Sequence, residues 1–232
     1  MNLTTTNNLK TRTTPMKKTV LLATLLVAWA ADNACGGLET FNSGSEVGTI
    51  PDGNPVGAAF VGSVSDLTAG TTVGGLTVGL NISGGYDGDL YAYLVAPNGT
   101  LVLLLNQPGV SGANGFGASG AGMNITLQDG AGTQGLIQSV TSSSVLSGTY
   151  NAANSLASIN GSVADGNWTL YFADLSSGGG TSILNSWSLG ITAVPEPVNM
   201  ALTVFGVVLV GAGIARWCLR RSTASIKRTD AA

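Results

Sequence analysis

The chain has 232 residues, room for one sizeable domain beside targeting segments and for no second large core. Glycine fills 34 positions and charged residues only 9%, a composition of exported β-rich proteins rather than cytosolic helical ones. Lys10, Arg12, Lys17 and Lys18 precede, and Arg216, Arg220, Arg221, Lys227 and Arg228 follow, a central stretch whose only charges are acidic, which excludes a nucleic-acid partner and leaves cations or neutral polymers such as polysaccharide.

Met16-Lys17-Lys18 and the apolar run Thr19 to Ala31 have the charged start, short apolar stretch and small-residue exit of a secretory signal peptide. The run is short for a permanent anchor, and cleavage by signal peptidase is expected after Ala30 or Ala34. Positions 1–34 are therefore read as the signal region, with Met16 as an alternative start to Met1. The flank Asp32-Asn33-Ala34 argues against a lipidated Cys35, and Cys218 lies beyond the later apolar run, so the two cysteines are not expected to pair.

From Gly36 to Ala193 short alternating segments separated by Gly, Asn and Ser clusters read as a β-rich body, with 35–75 as lead-in strands and linker and 76–193 as a β-sandwich. In Leu76 to Ile82, Leu76, Val78, Leu80 and Ile82 share one face while Thr77, Gly79 and Asn81 share the other, the pattern of a half-buried strand. A second strand is expected over Leu90 to Ala96. Asn98-Gly99 then turns the chain into Leu101 to Leu105, whose continuous apolar character predicts a central position in its sheet. Gly109 to Gly122 is nearly all small residues and predicts a long flexible loop. Its Gly115 to Gly120 fits G-x-G-x-x-G, but no strand precedes it and no helix follows, so it is assigned to glycine richness. Trp168, Leu170 and Phe172 alternate with Thr169, Tyr171 and Ala173, and Trp187, Leu189 and Ile191 with Ser186, Ser188 and Gly190; both segments predict core strands.

Gly88-Asp89-Leu90, Ala96-Pro97-Asn98-Gly99-Thr100, Leu156 to Gly161, Gly166-Asn167-Trp168-Thr169-Leu170, Asp174 and Leu184 to Leu189 together resemble the P domain, or Homo B domain, that follows the catalytic domain of proprotein convertases and bacterial proteases. The resemblance covers about Leu76 to Thr192 and implies an all-β, jelly-roll-like β-sandwich. It departs at Gly84 to Asp87, where the family often carries a polar group.

Val198 to Ala215 is an uncharged apolar stretch of the length a transmembrane helix needs, ending at Arg216. The arginines place that end in the cytoplasm and everything before Val198 outside. With Pro195-Glu196-Pro197 in front and Arg216, Arg220 and Arg221 behind, positions 194–232 resemble the PEP-CTERM sorting signal of Gram-negative bacteria. That resemblance implies removal of the tail by an exosortase, after a transient stay in the inner membrane, and delivery to the cell surface or extracellular matrix. The two prolines favour an extended, accessible segment.

The chain contains no histidine, which removes Ser-His-Asp and Cys-His catalysis and argues against a catalytic zinc site. Carboxylates at Asp87, Asp89, Asp165 and Asp174 leave glycoside hydrolysis formally open, although turn chemistry explains Asp-Gly pairs as well. Asp87, Asp89 and Asp174 are the candidate ligands of a calcium ion, since hard cations take several oxygens and the P-domain resemblance implies calcium. The expected role is a non-catalytic surface or matrix protein of a biofilm-forming bacterium. The second reading is a calcium-dependent binding module for exopolysaccharide or a partner protease.

Overall fold

A computed structural model describes residues 38–42, 47–65, 67, 70–194, 201–202 and 204–217. Ala30, Ala34, both cysteines, Pro195, Glu196, Pro197, Arg220 and Arg221 lie outside the described residues. Contacts divide the chain into Gly36–Glu196 and a second unit formed by its two ends.

The first unit is all-β. Its strands are β1 (Leu38–Asn42), β2 (Gly48–Ile50), β3 (Asn54–Val64), β4 (Thr72–Gly84), β5 (Leu90–Val95), β6 (Leu101–Asn106), β7 (Gly122–Leu127), β8 (Leu146–Tyr150), β9 (Gly166–Asp174) and β10 (Ser182–Val194). One sheet runs β1-β10-β4-β7-β8, with β2 also on β10; the other runs β3-β9-β5-β6. Neighbours are antiparallel except β7 and β8, which are parallel.

The alternation read in the sequence decides which faces meet. Val78, Leu80 and Ile82 of β4, Trp168, Leu170 and Phe172 of β9, and Trp187, Leu189 and Ile191 of β10 are all buried in one apolar core. Each such side chain stabilises the fold by roughly 1.5–3 kcal/mol. Gly62 of β3 faces Trp187 of β10 across the two sheets: a Cβ there would lie 2.8 Å from the indole Cζ2. Phe41 of β1 packs edge-on to the same ring at 6.3 Å. The Trp168 indole N–H donates to the Ala164 carbonyl at 3.0 Å, so that ring is buried without an orphaned donor.

The strands β1, β2 and β3 lie in the 35–75 lead-in: β1 and β2 pair with β10, β3 pairs with β9, and Ile50 and Phe60 enter the core. Two expectations are corrected. β6 is the edge of its sheet, not its centre. Its apolar run arises because Val102, Leu104 and Leu105 are buried while Leu101, 51% exposed, sits on the opposite face, with a register shift in the β5–β6 ladder between Ala92 and Tyr93. The Gly109–Gly122 segment is tied down by backbone bonds, among them Gly109 N–H to Gln138 O at 3.0 Å and Ala118 N–H to Pro108 O at 2.8 Å.

In the second unit, residues 201–202 and 204–217 are helical. Leu202, Phe205, Val208, Leu209 and Trp217 are each more than half exposed. Among the described residues no helix is long and apolar enough to cross a membrane.

Candidate functional site

Tyr86 leads into a single 3-10 turn, Asp87–Asp89, that delivers the chain to β5. Two backbone bonds clamp this turn to the glycine-rich segment: Asp87 N–H to Gly120 O at 2.9 Å and Gly88 N–H to Ala118 O at 2.8 Å. The Asp87 carboxylate is fully buried, and its Oδ1 accepts from the Gly122 N–H at 2.9 Å. Its Oδ2 has no partner. Gly120 makes room for it, since a Cβ there would fall 2.5 Å from that oxygen. Burial pushes the Asp87 pKa up to about 7, against the opposing pull of the Gly122 amide.

Asp89 and Asp174 occupy a different place. Asp174 closes β9, opposite Leu90 of β5 and Asn54 of β3, and is fully buried. Its Oδ1 accepts from the Ser176 N–H at 3.2 Å, while its Oδ2 has no partner. Burial raises its pKa, the Ser176 and Gly53 amides lower it, and the Asp52 charge raises it again. Asp89, only 8% exposed, is pushed up to about 6 by burial first and then by Asp174 and Asp52. The Leu175 N–H donates to the Asp89 carbonyl at 2.9 Å, fastening the strand end to the loop after β9.

The structure therefore groups Asp89 with Asp174 and adds Asp52. Asp87 is not among the charges that act on them. One of its carboxylate oxygens accepts from the Gly122 N–H and the other has no partner. Among the described residues no group of three His, Cys, Asp or Glu side chains is placed to hold a metal ion. Asp165 accepts from the Leu67 N–H at 3.3 Å just before β9 begins. It is roughly 30 Å along the strand from Asp174, at about 3.3 Å per residue, so these two share no site.

Sequence reading also passed over the outer face of the second sheet. Register places Tyr93 between Tyr171 of β9 and Leu103 of β6, with Ala59 of β3 beyond Tyr171. The next row holds Val61, Thr169, Val95 and Leu101. Tyr93 stacks on Tyr171 with ring centroids 4.5 Å apart, and Tyr91 meets Tyr93 edge-on at 6.2 Å. The Tyr171 hydroxyl donates to the carbonyls of Pro55 and Val56, 2.7 and 2.8 Å away. Gly57, at φ +62°, lets that segment approach: a Cβ would lie 2.0 Å from the Phe172 carbonyl and 2.9 Å from the Tyr171 ring. The signal was present as Tyr91 and Tyr93 at period two, on the face that strand alternation sends outward.

No protein family matches the chain, and no curated protein matches it. Among solved structures it is similar to the serine protease of Aeromonas sobria, with a TM-score of 0.39 and 16% identity, covering 67% of this chain and 26% of that one. It is likewise similar to the complex of Aeromonas sobria serine protease with the chaperone ORF2, with a TM-score of 0.38 and 17% identity over 69% of this chain. The chain spans 26% of the length of those structures.

Proposed function

We propose that this chain is an exported, non-catalytic surface or extracellular-matrix protein, built as a P-domain-like jelly roll and sorted by an exosortase through a PEP-CTERM tail. The observation that carries the reading is the segregation of charge. From Thr19 to Ala215 the chain holds no Lys, Arg or His, while basic residues flank both apolar runs. That is the distribution that orients a chain across a bilayer with its body outside. The exposed apolar side chains among the helical residues 201–202 and 204–217, Leu202 and Phe205 among them, supply a surface that lipid would cover. The P-domain reading is supported by where its sequence blocks lie: Gly88-Asp89-Leu90 at the turn into β5, Ala96 to Thr100 in the β5–β6 hairpin, and Gly166 to Leu170 opening β9.

Mass spectrometry of the mature protein from its native host tests the reading at both ends. It expects a start after Ala30 or Ala34 and an end near Pro195 to Pro197. Retention of the residues after Pro197 would replace sorting with a permanent anchor.

A second reading, a calcium-dependent binding module, draws support from one observation: Asp174 Oδ2 is buried without a partner beside Asp89, in a body without cations. An ion there would draw on Asp89, Asp174 and the exposed Asp52 turn, and not on Asp87.

A further inference from the structure

The outer face of an antiparallel sheet that meets water normally carries polar side chains. On the β3-β9-β5-β6 sheet it carries Tyr91, Tyr93 and Tyr171, continued by Val61, 43% exposed, and Leu101, 51% exposed. Tyr91, Tyr93 and Tyr171 are half-buried while Val61 and Leu101 are exposed, so the face offers aromatic and apolar surface to a partner. We infer that this face binds a neutral polysaccharide chain, held through the rings of Tyr91 and Tyr93 and the hydroxyls around them.

Charge selects that occupant. No Asp, Glu, Lys or Arg stands in the two registered rows, from Ala59 to Leu103 and from Val61 to Leu101. The whole body is anionic without compensation, so two copies brought face to face repel each other, and an anionic polymer is repelled as well. A neutral, hydroxyl-rich chain meets neither penalty. Its apolar ring faces match aromatic surface, and its hydroxyls match the phenols, Thr169 and the adjacent Asn106. The surface is also preorganised. Tyr171 is fixed by its two bonds to the β3 backbone and Tyr93 stacks on it, so few rotamers remain to be ordered on binding. This inference is independent of both the sorting and the calcium readings, because the two rows hold no acidic residue and lie within Gly36–Glu196.

Affinity electrophoresis of the full-length chain in mild detergent tests it, through gels containing an α-glucan, a β-glucan, a mannan, a galactan or anionic alginate. At least one neutral polymer is expected to retard the chain, alginate is not, and chelator changes nothing. Tyr91→Ala and Tyr93→Ala are each expected to weaken retardation roughly tenfold, with Tyr93→Phe retaining most of it. Should an alanine variant fail to fold, Leu101→Glu at its exposed position puts a charge on the same face and is expected to abolish retardation. The inference is overturned if no neutral polymer retards the wild type, or if the double alanine variant is retarded equally. It is also overturned if sedimentation shows a dimer that Tyr93→Ala dissociates, which would make a second copy the occupant.

Discussion

Trp187 of β10 closes on Gly62 of β3 so tightly that one added carbon would stand 2.8 Å from the indole and 2.7 Å from the Phe41 ring. The contact joins the two sheets at a point where neither can yield. Gly62→Val is expected to destabilise the body by about 1–3 kcal/mol through overpacking, and Trp187→Ala by about 3–5 kcal/mol through the cavity it leaves. Urea unfolding followed by tryptophan fluorescence measures both. Wild-type stability in Gly62→Val would show that the sheets do not meet there.

Asp87 gives the fold an acid-favouring component. Its pKa is about 7 in the folded chain against an ordinary 3.8, so between those values the folded state holds a proton that the unfolded state has released. Its stabilising effect is therefore greatest below about pH 4 and is lost as the pH rises to about 7. Asp87→Asn, which keeps an oxygen for the Gly122 N–H, is expected to gain roughly 2–4 kcal/mol over wild type at pH 8 and almost nothing at pH 4. Urea midpoints at the two pH values provide the comparison; an equal difference at both would contradict the assignment.

Calcium separates the two acidic places. If an ion is drawn to Asp89 and Asp174, millimolar calcium raises the melting temperature at pH 7.5, Asp174→Asn removes that rise, and Asp87→Asn keeps it. The opposite pattern, loss with Asp87→Asn alone, would return the ligand set to the 3-10 turn. Differential scanning calorimetry with and without chelator reads the result.

Tyr171→Phe deletes the donor shared by the Pro55 and Val56 carbonyls. The expected cost is about 1–2 kcal/mol, together with faster amide hydrogen exchange across the first residues of β3. Unchanged exchange at Val56 and Gly57 would mean that the hydroxyl does not hold that segment.

Much of the body was legible because burial on one side of a strand writes itself into every second residue. β4, β9 and β10 were found this way, and so was the β5–β6 turn at Asn98-Gly99, where Gly99 takes φ +85°. The errors have physical causes. Leu101 to Leu105 is apolar on both faces, so its hydropathy could not reveal an edge strand. Gly109–Gly122 lacks side chains to interpret, and what orders it is backbone hydrogen bonding to Asp87, Gly88 and Gln138. Asp87 and Asp89 sit two residues apart, yet the turn sends one carboxylate toward Gly122 and sets the other beside Asp174, a division no spacing rule records. Asp52 joins Asp89 and Asp174 only through the tertiary fold, its sole local sign being the turn Pro51-Asp52-Gly53.

Leu38 of β1 stands opposite Thr192 of β10, so the backbone enters and leaves the body side by side on one ladder. A unit with adjoining ends behaves as a cassette: its entry and exit points stay together whatever lies between them. Exchange of the material between Leu38 and Thr192 for another fold with neighbouring termini would leave the points of entry and exit where they are.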